Sequence, residues 1–475
     1  MQSKNIKNLI WYSVPFLFKY ILPIISFPIF TRFLTKHDFG VYALSIFYGT
    51  FGAGLINLGL LNIYERNFFS LDKESRKNLL LTILSFTLIN SFILIGVTHT
   101  FSNYIAFNIF RNNNIQSLLT VSLSFQIFKS FNQYFYVYFK NYENAKYYTF
   151  LSIIESSISI FISIILVVSF SLGIYGFILG QFLGSFIVFI CSFCYLIIIS
   201  KIKISKDILV EQLKLSLPLT PRVFFGVINT QFDRYMLGLL GSIGGVGLYD
   251  ISQKIANIGF SSMTIVQNVY SPQVYKFFFS KNKNASKSIG KYLTPFFYIS
   301  ILPCLLIGVF AYEILFILTT EDYYEAAPII TILSLLYGLY FFGKQPQLLF
   351  AKKSRLISAL SFFSMFLNIC LNIPMIKLYG IYGAALATTI AGSLSTIMSL
   401  YFGQKYAKIS YEDSVWFLLL YYILAVVSVS IFLSDELSII NFGLKILIVV
   451  IFIFIGLKFK IISHDMPKSI FKNSK

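Results

Sequence analysis

Apolar runs of about 20 residues follow one another along this 475-residue chain, and no segment between them exceeds about 20 residues. About 20 apolar residues in a helix span the hydrocarbon core of a bilayer, roughly 30 Å thick. The runs lie at about 9–33, 39–63, 78–101, 115–138, 148–170, 174–200, 213–240, 247–275, 290–319, 326–350, 356–377, 381–403, 413–433 and 439–458. This predicts an all-α polytopic membrane protein of about 14 transmembrane helices. Only 12% of the residues are charged, about half the share in a soluble globular chain. With no long loop, there is no extramembrane domain to host chemistry.

The formal net charge is +19. Because the cations are scattered over short loops, they indicate a membrane topology rather than a nucleic-acid partner. Lysine and arginine crowd one set of loops and both chain ends, whereas the opposite set holds only Arg32, Lys36, Arg111 and Lys377. By the positive-inside rule both termini are cytoplasmic, as an even helix count requires, and the chain belongs in the cytoplasmic (inner) membrane. The opening MQSKNIKN is basic, but no small-residue cleavage site follows the first apolar run, so it reads as a span and not a signal peptide. Cys191 and Cys194 form a CxxC without a second pair, and His37, His99 and His464 are dispersed. A structural zinc needs four ligands, so no metal is expected. Neither a catalytic set nor a phosphate loop is present, so no cofactor and no enzyme activity are expected.

Charges sit inside two of the apolar runs, in the stretch 217–270. Successive helical residues rotate by about 100°, so Arg222, Gly226, Asn229 and Asp233 share one face, flanked by Arg234. Asp250, Lys254, Asn257, Ser261, Thr264 and Asn268 share a face of the next helix. One charge at the bilayer centre costs roughly 2.5–3.5 kcal/mol on insertion scales. The stripe therefore faces the bundle interior, as a solute path or as ion pairs that hold helices together. Asp233 and Arg234 point about 100° apart and do not pair with each other. Lys19, Lys129 (striped with Gln126, Gln133 and Tyr136) and Lys344 add cations. Asp233, Glu155 and Glu313 are the anions counted against them, which leaves the interior net positive. Such a cavity attracts anions, and arginine grips phosphate through a planar fork. For Lys129 and Lys344 the alternative is snorkelling to an interface. Pro15 and Pro23 in the first helix, and Pro218 and Pro221 in the seventh, bend their helices as static kinks or as hinges.

The chain also repeats. Pro15, Arg32, Gly40 and Tyr42 correspond to Pro218, Arg234, Gly247 and Tyr249, and LGIYGFILGQFLG (172–184) corresponds to YGIYGAALATTIAG (379–392). Two pseudo-symmetric six-helix lobes follow, 1–208 and 209–408, with helices 13 and 14 and a basic tail in 409–475. An even number of helices per lobe makes the repeats parallel. Paired lobes of this kind bind solute near the midplane.

The segments PIFTRFLTKHDFGVYAL, DRYMLG…GLYDISQKIA and VYSPQ and the LGIYG/YGIYG pair resemble the polysaccharide-transporter family, the Wzx-type O-antigen and capsule repeat-unit flippases. That family shares a superfamily with the MATE multidrug exporters and the lipid II flippases. The resemblance implies a MATE-like V-shaped core of two lobes with two added helices. It also implies transport of undecaprenyl-diphosphate-linked oligosaccharide between leaflets. Arg32, Asp38, Gly40, Tyr42, Asp233, Arg234, Gly247, Tyr249 and Lys254 carry it. Lys19, Arg222, Arg234, Lys254 and Lys129 are then expected to bind the diphosphate. Asn229, Asn257, Ser261, Asn268, Gln126 and Gln133 are expected to line a sugar-compatible cavity. H+ or Na+ is the expected coupling ion, through Asp233 or Glu155, and polysaccharide polymerase machinery a possible partner. A MATE-like ion-coupled multidrug antiporter is the alternative, and it requires an acidic cavity. A polymerase or glycosyltransferase requires a large outer domain, which the loops leave no room for.

Overall fold

The computed structural model describes residues 18, 22–142, 144–198, 204–280, 284–433, 438–459 and 461. Every regular element among them is helical. The first half comprises α1 (Leu22–Phe33), α2 (Lys36–Asn57), α3 (Leu60–Asn67), α4 (Lys73–Thr100), α5 (Gln116–Asn141), α6 (Ala145–Ile164) and α7 (Gly173–Ile198). Then come α8 (Lys206–Ser216), α9 (Thr220–Leu240), α10 (Ile243–Phe279), α11 (Ala285–Val309), α12 (Ala311–Leu318) and α13 (Ala327–Gly343). The helical stretch Ser354–Tyr406 breaks at Gly380, giving α14 (354–379) and α15 (381–406), and α16 (Asp413–Phe432) and α17 (Ile439–Lys458) close the chain.

Among the described residues, nine helices are long and apolar enough to cross a membrane, with Ser354–Tyr406 taken as one, and α1 is a shorter apolar helix. The protein is thus an all-helical, multi-pass membrane protein. The expected count of fourteen also depends on the break at Gly380, on the polar helices α5, α9 and α10, and on the first run, described only in part. The run at 213–240 is not one helix. Its start belongs to α8, a 3-10 turn at Leu217–Leu219 follows, and α9 begins at Thr220. Pro218 sits in that turn and Pro221 in the first turn of α9, where a missing N–H costs nothing. On α8, Gln212 is buried and accepts from Asn67 Nδ2 at 2.7 Å.

The sequence repeat has a structural counterpart at an offset of 207 residues. Thr35 caps α2 in a capping box with Asp38, and Ser242, 207 residues on, caps α10 by accepting from the Gly245 N–H at 3.1 Å. Gly173 and Gly380, also 207 apart, both have φ in the left-handed region, +53° and +57°. Each lets the chain turn sharply between two apolar helices, a conformation only glycine adopts cheaply. Three residues on, Gly176 and Gly383 both press against the end of the preceding segment. A Cβ on Gly383 would meet Met375 O at 1.9 Å, and one on Gly176 would meet Leu172 Cβ at 2.8 Å.

Packing divides the chain into two compact units: residues 1–250 with 318–322, and 251–317 with 323–475. In the first, α5 packs against α2 and α7, and α6 lies against α7. Tyr64, Phe68, Leu84, Leu123 and Tyr134 are fully covered in its core. Small residues bring the backbones close, as lipid-embedded helices require. A Cβ on Gly184 would fall 2.1 Å from Ser159 Oγ, and one on Gly49 would fall 2.6 Å from Ser122 O. In the second unit α13 packs against the 354–406 helices and α11, and α11 against α16. The packing boundary at Asp250 lies inside α10, whereas the repeat boundary at 208/209 is a property of the sequence alone.

Candidate functional site

Helices α9 and α10 are joined by a two-residue turn, Gly241–Ser242, so their facing ends meet at once. Two neighbours on α9 then meet two neighbours on α10. Tyr249 donates its hydroxyl to Asp233 Oδ2 at 3.0 Å. Arg234 Nε lies 2.8 Å from Asp250 Oδ1, an ion-pair contact rather than an aligned hydrogen bond. Asp233 and Asp250 are buried, and the Arg234 side chain is 12% exposed. The divergence of adjacent helical side chains keeps Asp233 and Arg234 apart and gives each a different partner.

This corner corrects the expected charge balance. Asp250 was placed on the polar stripe but left out of the count of anions. It pairs with Arg234. The excess positive interior therefore cannot be drawn from Arg234.

α9 also packs on α2. Phe47 stacks on Tyr235 with ring centroids 5.3 Å apart, and Gln231 Nε2 donates to Thr50 Oγ1 at 3.4 Å. The start of α10 crosses α2 more tightly still, glycine on glycine, at Gly40 and Gly247.

A second polar cluster lies where α5, α6 and α7 meet. Glu155 accepts from Ser185 Oγ at 2.7 Å, from Asn132 Nδ2 at 3.0 Å and from the Tyr136 hydroxyl. Asn132 also donates to Ser185 O at 3.0 Å. Among the described residues no lysine or arginine lies within ion-pair distance of this carboxylate. Its oxygens are held by neutral donors alone among these contacts. Tyr136 was expected on the stripe with Gln126, Lys129 and Gln133. It turns to Glu155 instead, because it shares a face with Asn132, four residues earlier.

A second buried charge pair escaped the sequence reading. Lys445 on α17 is 1% exposed and donates to Glu313 Oε1 on α12 at 2.7 Å. Glu313, expected among the interior anions, is thus committed to a structural partner.

Of the other expected site residues, Lys19 and Pro15 lie outside the described residues, as does the side chain of Arg222. Lys129 is exposed, with its ammonium 5.1 Å from the Phe125 ring centroid. Gln126, Lys254 and Asn257 are half-buried, Ser261 is buried, and Gln133, Asn229 and Asn268 are exposed. Pro23 lies in α1 and is half-buried. Asp38 accepts from the Thr35 N–H and hydroxyl, both at 2.8 Å, and Tyr42 donates to Gln181 Oε1 at 3.3 Å. Arg32 is exposed.

The fold is shared with solved transporters. It is similar to "Lipid II flippase MurJ, inward closed conformation", with a TM-score of 0.70 and 16% identity over 95% of this chain and 99% of that one. An inward-facing multidrug resistance MATE family transporter of the MOP superfamily gives a TM-score of 0.58 and 13% identity over 84% of this chain and 94% of the other. A MOP superfamily transporter from Pyrococcus furiosus, described as having a binding pocket of reverse polarity, gives 0.52 and 14% identity over 84% and 95%. At these identities the superpositions show a MATE-like and MurJ-like fold and nothing more. No curated protein sequence matches the chain. Residues 6–277, more than half of the chain, match the family described as "Polysaccharide biosynthesis protein", and the protein belongs to that family.

Proposed function

We propose that the protein is a flippase for undecaprenyl-diphosphate-linked oligosaccharide repeat units, serving O-antigen or capsule synthesis. It works in the cytoplasmic membrane with both termini in the cytoplasm. Lobes 1–208 and 209–408 alternate access, with Pro15, Pro23, Pro218 and Pro221 as bending points. Lys19, Arg222, Lys254 and Lys129 are the cations assigned to the diphosphate, with Arg234 contributing through its pair with Asp250. Asn229, Asn257, Ser261, Asn268, Gln126 and Gln133 are assigned to the sugars.

The reading is carried by one observation: a member of a polysaccharide biosynthesis family folds as flippases and exporters of the MOP superfamily do. The family supplies the glycan and the fold supplies the movement. A glycan unit that crosses a membrane on a polyprenyl carrier has an anionic diphosphate and an uncharged sugar head. Cations together with amide and hydroxyl side chains suit those two parts. Deleting the gene in its host is expected to make undecaprenyl-linked repeat units accumulate on the cytoplasmic side and to deplete surface polysaccharide. Unchanged surface polysaccharide would contradict the proposal.

The second reading is an ion-coupled multidrug antiporter. Asp233 and Asp250 are the two buried carboxylates it would use, because organic cations need a surplus of carboxylate. Drug resistance conferred on an exporter-deficient strain, without rescue of a glycan-deficient one, would select it. In either case Asp233 and Glu155 are the groups assigned to H+ or Na+ coupling.

A further inference from the structure

Lys344 ends α13, and its main chain is pinned. Gln267 Nε2 on α10 donates to the Lys344 carbonyl at 2.8 Å. The next residue, Gln345, donates to the Tyr270 hydroxyl at 3.2 Å. The side chain turns onto α10. Its ammonium lies 4.0 Å over the Phe260 ring centroid and donates to Thr264 Oγ1 at 3.3 Å.

Both partners are neutral. Among the described residues no carboxylate lies within ion-pair distance of Lys344. Thr264 already spends its own proton on Phe260 O at 3.0 Å. An ammonium has three donors, so at least one remains unused. A half-buried cation with only a ring face and one hydroxyl is under-compensated, and burying charge without a counter-charge is costly. A lysine that merely snorkelled would extend its head away from the helix packing, whereas this one is folded against it.

The adjoining residue on α10 is also incomplete. Ser261 is 4% exposed, and its Oγ has no hydrogen-bond partner. It lies three residues before Thr264, so the two side chains are neighbours on one helix face, about 5–6 Å apart at Cβ. Buried hydroxyls are nearly always satisfied. An unused ammonium donor and an orphaned hydroxyl on one face want the same thing, an anionic oxygen acceptor.

We infer that Lys344 and Ser261 form an anion-binding site within the second packing unit, taking the phosphate oxygens of a membrane-borne phosphate ester or diphosphate, which moves Ser261 from the sugar lining to the phosphate. The inference deepens the flippase reading and rests on it for the identity of the ligand as substrate. The same chemistry is offered by an anionic phospholipid headgroup, and the experiment separates the two sources.

The full-length protein is purified in detergent and as Lys344→Met, which keeps the apolar stem against Phe260. Lys344→Arg and Ser261→Ala are made alongside. Binding is measured for an undecaprenyl-diphosphate sugar, and co-purified or added phosphatidylglycerol is measured by native mass spectrometry. Thermal melting reports folding. A tenfold to hundredfold weaker affinity of Lys344→Met for the diphosphate, retained in Lys344→Arg, is expected. Loss of phosphatidylglycerol with diphosphate binding unchanged assigns the same site to a resident lipid. If both ligands bind the folded Lys344→Met and Ser261→Ala variants as they bind wild type, the site is overturned. If wild type binds neither ligand, the site is also overturned. Wild type that binds phosphatidylglycerol through Lys344 but no diphosphate sugar defeats the flippase reading and leaves the site standing. If Lys344→Met does not fold, Lys344→Arg and Ser261→Ala decide by the same ligand comparison.

Discussion

Gly40 and Gly247, equivalent positions of the repeat, pack against each other. A β-carbon on Gly247 would lie 2.8 Å from Gly40 N and 1.9 Å from Lys36 O, and one on Gly40 would lie 1.9 Å from Ile243 O. All three contacts are with backbone, which cannot rotate away. The pair lets the first turns of α2 and α10 touch.

Gly247→Ala or Gly40→Ala is therefore expected to force the helices apart, at about 1–3 kcal/mol or more. A drop of several degrees in Tm in detergent checks this. Gly226→Ala on α9 is the control, because nothing lies within 4 Å of the added Cβ. It is expected to be neutral or stabilising by roughly 0.5–1 kcal/mol.

Arg234 and Asp250 are expected to behave as one unit. Removing either alone strands a buried charge, at about 3–5 kcal/mol. The pair Arg234→Gln with Asp250→Asn is expected to recover much of that loss. A double-mutant cycle in thermal stability measures the coupling, and additive losses would show that the two do not interact.

Glu155 separates a structural from a coupling role. Glu155→Gln keeps a carbonyl acceptor and places an amide opposite Tyr136, so the fold is expected to stay intact. Glu155→Ala orphans three donors, each costing about 1–3 kcal/mol, and is expected to melt clearly earlier. If Glu155 couples an ion, transport by Glu155→Gln loses its dependence on the proton or sodium gradient. Full gradient dependence in a folded Glu155→Gln would assign it to structure alone.

Gly380→Ala places a β-carbon at φ +57° and ψ −131°. Such a conformation costs a non-glycine residue of order 1–3 kcal/mol. The Cβ meets nothing within 4 Å, so the loss, read as a lower Tm, is due to the backbone alone.

The apolar runs made the helical bundle legible, because hydropathy reports burial in lipid directly. The repeat was legible for a different reason. Thr35, Gly40, Gly173 and Gly176 and their partners 207 residues later meet local demands of capping, close approach and positive φ. Such demands fix residue type. Pairing across helices was not legible. Asp250 stood in plain view on the stripe, but that it meets Arg234 depends on the short turn and on the rotation of α10. Lys445 and Glu313 are 132 residues apart and carry no local signal. Neither is there one for Ser185, which reaches Glu155 from α7. The split of 213–240 was missed because Pro218 suits a kink and a helix start equally well.

The most direct test is leaflet exchange in reconstituted vesicles. The purified full-length protein is inserted in liposomes carrying a fluorescent undecaprenyl-diphosphate oligosaccharide, and a membrane-impermeant quencher is added outside. Protein-dependent loss of the protected inner-leaflet signal is expected, slower in Lys344→Met than in wild type. If the protected fraction stays equal to that of empty liposomes, with the wild-type protein folded and inserted, movement of a lipid-linked glycan is contradicted.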